Sequence, residues 1–473
     1  MKPAPRVAAL ALAAVLAGCA SLEVDRNVAD AGALAREAAG DSPRLLRSED
    51  DRREARAAVD RLLAGPLGMD DAVRIAVLHG ASLQASLFDG AARSAQATQS
   101  ARLPNPVFTF ERLVGEHEFG RETDIARRLA FSVFDLLLLP QRLRAVEYQQ
   151  QQLRLRAAGE IVQAAVEARQ AWVRAVAAEQ AMAYARQVKD AADASAELAK
   201  RMQSVGNYSK LQRAREQAFY ADAVAQLARA QQAARAAREA LVRTLGLDAQ
   251  QAERLQLPER LPDLPQVPQG EAALARTALE ERLDVRMARA DLEYLARQQG
   301  ITRITSYVNG LELAVVRESE AREAPHKGYE IEMPLPIFDF GDARRAQAEA
   351  TYMAALHRAA LVGLHATSQV REAHGAYRTA YDIARHYRDE VVPMRKTIAD
   401  EMLLKYNGML IGVFELLADS RAQIGAVMQA IEAERDFWLA DAALRSAIIG
   451  RPLGGAAMEI RSTPTPAAGG GGH

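Results

Sequence analysis

Residues 141–204 read QRLRAVEYQQQQLRLRAAGEIVQAAVEARQAWVRAVAAEQAMAYARQVKDAADASAELAKRMQS. This stretch contains no proline and a single glycine, Gly159, while alanine, glutamine, arginine, glutamate and leucine recur throughout it. These residue types favour helices, and almost nothing in the stretch interrupts them. The stretch therefore predicts one helix of roughly 95 Å. A helix of this length indicates an elongated protein with coiled-coil-like packing rather than a large mixed core.

A second long helix follows after a short break. The break is Val205-Gly206-Asn207-Tyr208-Ser209, whose glycine, asparagine and serine favour a turn. Residues 210–245 return to a helical composition, and Gly246 is well suited to the position after a helix end. The segment 258–268 contains four prolines and predicts a stiff linker.

A shorter helix precedes the long one. Residues 20–65 are polar and charged, and we interpret them as an extended or partly helical lead-in within an N-terminal segment 19–69. The helical pattern begins near Asp70 or Asp71, either of which is a plausible N-cap. This helix is predicted over 70–101, because the prolines at 104 and 106 prevent it from continuing.

A β-hairpin is predicted between the two helices. Residues 107–111 alternate between apolar and polar side chains, as do residues within 125–134. The intervening segment 115–122 is rich in glycine, glutamate and histidine and is predicted to be a loop. Two alternating runs around a polar loop are typical of a hairpin.

The same order of elements recurs about 202 residues later, which indicates an internal duplication. The pairs that match are Ala76 and Ala278, Leu83 and Val285, Glu147 and Glu349, and Gly206 and Gly408. The second copy predicts a helix over 269–299, strands over 304–316 and 329–338, a long helix over 342–405 kinked at Pro393, a break at Asn407-Gly408 and a helix over 413–449. The chain thus divides into a first repeat (70–257), a second repeat (269–450) and a tail (451–473) that is predicted to be disordered.

The predicted fold class is mainly α with a small β part, with four long helices and four strands in each chain. Four strands cannot close a barrel, and an open sheet edge in lipid would leave backbone amides unsatisfied. After the N-terminal segment no run of eighteen apolar residues occurs, so no transmembrane helix is predicted. If the strands enter a membrane, the chain must oligomerise through them, and three copies would supply twelve strands.

Composition and motifs exclude several classes of function. The chain has 60 basic and 61 acidic residues, a net charge of −1, so no basic excess points to nucleic acid. The sequence lacks a glycine-rich phosphate loop, a His-Glu-x-x-His motif and a nucleophile elbow. We therefore predict no enzymatic activity and no cofactor.

The N-terminus resembles a bacterial lipoprotein signal. Lys2 and Arg6 precede a short apolar run that ends in Leu16-Ala17-Gly18-Cys19, and Cys19 is the single cysteine. The run is too short to span a bilayer and predicts a signal peptide over 1–18. The sequence around Cys19 resembles a lipobox, which implies acylation of that cysteine; an ordinary signal peptide with an incidental cysteine is the alternative. Cys19 is not followed by aspartate, and in this the sequence resembles Gram-negative lipoproteins that are sorted to the outer membrane rather than the inner membrane.

Four features together resemble the TolC family of outer-membrane efflux ducts over most of the mature chain, from about residue 70 to 450. They are Ala101-Arg-Leu-Pro-Asn-Pro106, Met333-Pro-Leu-Pro-Ile-Phe-Asp-Phe-Gly341, Tyr406-Asn-Gly-Met-Leu-Ile-Gly-Val-Phe-Glu-Leu-Leu417, and the matching first turn at Gly206. The resemblance implies a homotrimer in the outer membrane of a Gram-negative bacterium. Its strands would form a shared 12-stranded β-barrel and its helices an α-helical barrel in the periplasm. It also implies passive export, with a periplasmic adaptor protein and an inner-membrane pump as partners.

The resemblance places a periplasmic gate just after the second helical turn. Glu415 and Asp419 lie one helical turn apart, so three copies would place six carboxylates around one axis. Phe414 or Leu417 occupies a position where the family has an acidic residue, which implies a partly hydrophobic constriction. The alternative is that the two carboxylates are ordinary surface charges, paired with Arg421 or Lys405.

The two helical turns are the expected docking sites for the adaptor. Their residues are Gly206, Asn207, Tyr208, Ser209, Gly408, Met409, Leu410 and Ile411. We expect Gly206 and Gly408 to adopt a backbone conformation that only glycine adopts at low cost.

The sequence indicates no resident metal site. His374 with Tyr377 and Tyr381 is a candidate for a tunnel wall, and four methionines surround the second turn, namely Met394, Met402, Met409 and Met428. Thioethers suit Cu(I), but methionine at helical spacing more often serves packing. Two alternatives to the duct remain, a lipid-anchored periplasmic coiled-coil scaffold and a periplasmic adaptor, both without a pore. An adaptor would have one helical hairpin, whereas this sequence predicts two.

Overall fold

The computed structural model describes residues 24–117, 120–268, 270, 282–307, 310–320 and 324–450. Three predicted features lie outside the described residues, namely the signal peptide, the lipidation site Cys19 and the tail 451–473. Residues 269 and 271–281, at the start of the helix predicted over 269–299, also lie outside them.

The lead-in is more ordered than the sequence suggests. It forms two helices, α1 (Val24–Ala39) and α2 (Glu49–Leu62). Ser48 caps α2 in a capping box with Asp51, a motif that the sequence analysis did not use. Ala31 and Val59 are fully buried, so these helices belong to the core and are not an extended arm.

The first predicted helix is divided into α3 (Met69–His79) and α4 (Ala81–Ser100). The division lies at Gly80, where an added Cβ would approach the carbonyl oxygen of Ala76 to 2.3 Å. The predicted N-cap is also wrong, because Gly68 is the capping residue and Asp70 lies in the first turn.

Four antiparallel strands form one sheet in the order β1 (Val107–His117), β2 (Gly120–Ser132), β3 (Glu312–Ser319) and β4 (His326–Glu332). The first two strands are longer than predicted, because the polar segment expected to be a loop continues the ladder, with Gly115 opposite Glu122. The strand predicted over 304–316 begins only at Glu312, and the strand predicted over 329–338 ends at Glu332. Pro334 and Pro336 follow that end and cannot donate to a ladder.

The long helix, α5 (Val133–Ser204), has 72 residues and extends about 108 Å. It begins before Pro140 rather than after it, since Ser132 caps the helix by accepting from the backbone N–H of Asp135. The chain then returns along α6 (Lys210–Leu245). Gly246 ends α6 in the left-handed conformation, with φ of 71°, as expected for a glycine at this position.

The second half has a similar order of elements, with an irregular turn in its long helix. After the short α7 (Ala249–Arg254), it contains α8 (Leu283–Thr305), α9 (Asp342–His386), a π turn (Tyr387–Val391), α10 (Val392–Asn407) and α11 (Val413–Ile449). The π turn ends two residues before Pro393, where a kink was predicted. Because proline has no N–H to donate, a widened turn at this point accommodates its ring.

The core surrounds the middle of α5, where its buried residues run from Leu155 to Ala177. This helix packs against α1, α3, α4, α6, α8 and α11. The buried indole of Trp172 donates a 2.8 Å hydrogen bond to the carbonyl of Leu67, which fixes the lead-in to the long helix. No helix among the described residues is both long and apolar enough to cross a membrane.

The proline-rich segment is packed against the second half. Leu264 is buried beside Tyr381 and Phe437. The Tyr381 hydroxyl donates to the carbonyl of Pro265 at 3.0 Å, and the Trp438 indole donates to that of Pro262 at 3.1 Å. Residues 258–268 therefore form a strap across α9 and α11, which we call the linker strap.

Candidate functional site

The first helical turn is a tight, well-capped connection. Gly206 has φ of 83°, and its N–H bonds to the carbonyl of Gln203 while that of Asn207 bonds to Met202. This pattern is a Schellman motif, which satisfies the last carbonyls of α5. Ser209 then begins α6 in a capping box with Gln212.

The second turn has the same hydrogen-bond pattern, shifted by one residue. The N–H of Met409 bonds to Tyr406 and that of Leu410 bonds to Lys405, again a Schellman motif. Met409 takes the left-handed position with φ of 59°, whereas Gly408 has an ordinary φ of −79°. The prediction of a special glycine conformation is therefore confirmed for Gly206 and wrong for Gly408.

Exposed apolar side chains lie at both turns, beside the exposed polar Asn207 and Ser209 of the first turn. Met409 is 92% exposed and Leu410 is 77% exposed, and Val205 is also exposed at the first turn. Tyr208 is the exception among the predicted docking residues, because it is buried. Burial, and then the negative charge of Glu216, raise the pKa of Tyr208.

A polar cluster joins the two helical hairpins near the turns. The carboxylate of Glu216 on α6 is buried, with a side chain only 2% exposed. It accepts from the Ser195 hydroxyl on α5 at 2.7 Å and from Arg421 Nη2 on α11 at 2.9 and 3.0 Å. The Arg421 guanidinium also lies 4.3 Å from the centroid of the Phe219 ring. The cluster therefore neutralises a buried anion with a cation from the other half of the chain.

The predicted gate residues differ in how far the single chain exposes them to solvent. Glu415 is exposed and Leu417 is half-buried, and only the backbone of Phe414 is described, within α11. The Asp419 side chain is only 12% exposed, lies 4.0 Å from Arg395, and leaves its buried Oδ2 without a hydrogen-bond partner among the described residues. The alternative pairing with Arg421 or Lys405 is not found in the described part of the chain, because Arg421 binds Glu216 instead.

The candidate tunnel-wall residues lie in the core instead. His374, Tyr377 and Tyr381 are all buried between α9 and α11, and the Tyr377 ring centroid lies 5.4 Å from that of Phe437. Within the described ranges, no group of three or more histidine, cysteine, aspartate or glutamate residues could hold a metal ion.

The sheet has two chemically different faces. Directly opposed residues share a face in an antiparallel ladder, and successive residues alternate between faces. The apolar face carries exposed Phe108, Leu129, Phe131, Leu313, Val315, Tyr329 and Ile331. The polar face carries Glu111, Asp124, Arg128, Glu312, Glu318, His326, Glu330 and Glu332. Val107 and Leu113 are the two large exposed apolar side chains of the described strands that lie on the polar face.

An ion-pair cluster occupies the polar face. Arg128 Nε lies 3.0 Å from a carboxylate oxygen of Glu330, and its Nη2 lies 3.3 Å from Glu332 and 3.8 Å from Glu312. On this side of the sheet, Arg128 therefore meets carboxylates from both β3 and β4.

Sequence reasoning identified the turns but not the cluster around Glu216. The partners Glu216 and Arg421 are 205 residues apart, and neither is distinguished by its local sequence. The sequence suggests Arg421 only as a partner for the gate carboxylates. The sorting of the sheet faces was visible in the alternating strands, but the arginine cluster depends on a register that the sequence does not reveal.

No family model and no curated protein matches this sequence. Solved structures do match. The CmeC outer membrane channel of Campylobacter jejuni is 14% identical with a TM-score of 0.67, covering 85% of this chain and 87% of that one. The open state of the MtrE outer membrane channel of Neisseria gonorrhoeae is 17% identical with a TM-score of 0.65, covering 81% and 89%. The outer membrane protein VceC of Vibrio cholerae is 13% identical with a TM-score of 0.64, covering 86% and 99%.

Proposed function

We propose that this chain, which has the TolC-type fold of outer membrane channels as predicted, is one subunit of a passive export duct in a tripartite efflux system. The observation that carries the proposal is the sheet with one exposed apolar face and one charged face. Such alternation is typical of strands that face lipid on one side and water on the other.

The duct is a homotrimer with a shared barrel. Strands β1 and β4 each have a neighbour on one side only, so the four-stranded sheet has two open edges. Open edges are not tolerated in lipid, and three copies joined edge to edge would close a 12-stranded barrel. The long helices of the three chains would continue this barrel as an α-helical barrel across the periplasm.

The chain arose as an internal two-fold repeat. The two Schellman turns support this proposal, because Gly206 and Met409 are geometrically equivalent and are separated by 203 positions. The next helix begins three residues later in each case, at N-caps Ser209 and Gly412. The offset between the two turns is 203 residues, one more than the 202 of the repeat as a whole. Gly408, which is 202 residues from Gly206, therefore does not occupy the left-handed position.

The helical turns form the periplasmic end, where the adaptor protein docks and delivers cargo from the inner-membrane pump. Exposed Met409 and Leu410 support an apolar contact there. The test is the Leu410→Cys variant in a Cys19→Ser background with a cleavable signal peptide, labelled with a photoreactive crosslinker. Crosslinking to the adaptor is expected for this variant and not for the matched variant Ala236→Cys, at an exposed position on α6.

The gate lies at the start of α11 and includes Glu415, Asp419, Phe414 and Leu417. Exposure of Glu415 supports its place in a carboxylate ring, whereas Asp419 turns toward Arg395 in the isolated chain. The test compares Glu415→Gln with Asp419→Asn in single-channel recordings. A larger loss of cation selectivity for Glu415→Gln is expected, and unchanged selectivity in both would remove the ring.

Acylation of Cys19 supplements the barrel as a membrane anchor. A Cys19→Ser variant with a cleavable signal peptide is expected to form fewer trimers but to retain some conducting channels. Complete loss of membrane association would show instead that the acyl chains hold the protein in place.

The experiment that decides between duct and scaffold is reconstitution of the purified full chain in planar bilayers. A duct migrates as a trimer in unheated gels and conducts ions, whereas a lipid-anchored scaffold or an adaptor does neither. A heat-dissociable trimer without conductance would contradict the proposal.

A further inference from the structure

Three cations lie side by side on the apolar face of the sheet. Arg127 on β2 is directly opposite Arg317 on β3, and Arg317 is directly opposite Lys327 on β4. Phe110 completes the row on β1, opposite Arg127. We call Arg127, Arg317 and Lys327 the cationic row.

Among the residues that the structure describes, the cationic row has no protein counter-charge. All three side chains are exposed, and none forms an ion pair among the described residues. In the described strands, no aspartate or glutamate shares this face within two rows, because the carboxylates project to the other face with Arg128. Within the sheet, the Arg127 guanidinium lies 6.0 Å from the centroid of the Phe110 ring.

This arrangement is unfavourable for an isolated sheet. Directly opposite side chains in an antiparallel ladder have Cβ atoms about 5 Å apart, and like charges at such positions destabilise the pairing. Arg128 shows that the same strands supply carboxylates where a cation needs them. The cationic row is therefore suited to an anion with several negative charges that comes from outside the protein.

The position of the row identifies the source of that anion. Two cross-strand rows of apolar residues separate it from the helical end of the sheet, first Phe131, Leu313 and Ile331 and then Phe108, Leu129, Val315 and Tyr329. The cationic row lies about 13 Å along the strands from the first of these. Exposed Leu136 and Leu137 at the start of α5 continue the apolar surface on the helical side.

We propose that the cationic row binds the phosphate groups of anionic membrane lipids, at the boundary where the apolar face of the sheet leaves the hydrocarbon. This inference rests on the proposed function, since it takes the apolar face as the lipid side of the wall. Arginine binds phosphate through paired N–H donors, and basic clusters beside an apolar surface bind anionic lipid headgroups. The aromatic rings of Phe110 and Tyr329 lie in and next to the row, as expected at a membrane interface.

The test uses the full chain as a trimer in nanodiscs of phosphatidylcholine with increasing fractions of lipid A, a doubly phosphorylated lipid. Lipid A retained by the trimer is measured by native mass spectrometry. Each cation contributes about five-fold to binding near an anionic surface, so Arg127→Gln/Arg317→Gln/Lys327→Gln is expected to weaken retention about 100-fold. The charge-conserving Arg127→Lys/Arg317→Lys variant is expected to retain most of the lipid.

The matched control removes the same charges from exposed positions on the helices, as Arg215→Gln/Arg235→Gln/Lys396→Gln, and is expected to bind lipid A like the wild type. Inorganic phosphate at the same phosphate concentration is expected not to compete, because it lacks the acyl chains. Retention by the row variant within twofold of wild type would overturn the inference, as would an equal loss in the control. Conductance of the same proteins in planar bilayers separates the two proposals, since a wild-type protein that forms no channel would refute the function and not only the lipid site.

Discussion

Replacing Arg421 with methionine is expected to loosen the contact between the two helical hairpins. The change leaves the Glu216 carboxylate 98% shielded, with only Ser195 as a partner, since the Glu216 side chain is 2% exposed. Removing one partner of a fully buried ion pair costs about 3–5 kcal/mol. Arg421 itself is 35% exposed, so solvent screening reduces the expected cost to about 2 kcal/mol.

Hydrogen exchange measured by mass spectrometry reports the change in the free energy of local opening around Glu216. Amides of α6 around Glu216 are expected to exchange about 30-fold faster in Arg421→Met, because local opening becomes about 2 kcal/mol easier. The double variant Glu216→Gln/Arg421→Met is expected to recover at least half of this loss, since it no longer buries an uncompensated charge.

The control is Arg201→Met, which breaks an exposed ion pair on α5. In that pair, Arg201 Nε lies 3.0 Å from Glu197 Oε1. Exposed pairs one helical turn apart contribute about 0.3–0.5 kcal/mol, so exchange is expected to change less than about threefold. The reasoning is refuted if the α6 amides of Arg421→Met exchange at the rate of the control. It is also refuted if exchange in the double variant is accelerated as much as by Arg421→Met and Glu216→Gln added together.

Three further predictions test other parts of the molecule. Gly206→Ala is expected to destabilise the first turn by about 1 kcal/mol in thermal unfolding, from backbone strain alone, since nothing lies within 4 Å of the added Cβ; Met409→Gly is expected to stabilise the second turn, and equal effects of one sign would contradict this. Glu434→Gln is expected to stabilise the protein at pH 7, because burial, followed by the Asp263 charge, raises the pKa of Glu434 and so disfavours its charged form in the fold. The gain is expected to disappear as the pH falls below the ordinary carboxyl value of 4.5, and a gain that persists there would be the contrary result. Leu129→Glu on the apolar face is expected to prevent assembly in bilayers while leaving helix content unchanged by circular dichroism; normal assembly would show that this face does not meet lipid.

The long helices were predictable because their signals are local and long. The break at 205–209, the end of α6 at Gly246 and the irregularity before Pro393 all follow from glycine and proline chemistry that acts within a few residues. The bounds of α11 agree with the predicted 413–449 for the same reason.

The errors occurred where distant contacts decide the structure. The sequence left the lead-in as extended or partly helical, and its order depends on burial: Ala31 is buried in α1, which packs on the long helix, and Val59 in α2, which packs on α3. A constant offset between the repeats predicted the left-handed residue at Gly408, whereas the turn itself is shifted and assigns it to Met409. Likewise, the pairing of Glu216 with Arg421 joins two halves of the chain, so no local pattern could indicate it.

The π turn beside the linker strap separates two parts of the second hairpin. The strap contacts α9 before the π turn, whereas α10 after it leads to the second helical turn. The strap fixes the backbone near Tyr381, and the π turn follows only six residues later. Beyond it, α10 extends about 24 Å to the second turn, so a tilt of about 5° at the π turn displaces that turn by about 2 Å. The strap holds the base of the hairpin, so force applied by a docking partner at Met409 would bend the hairpin at the π turn while the packed base stays still.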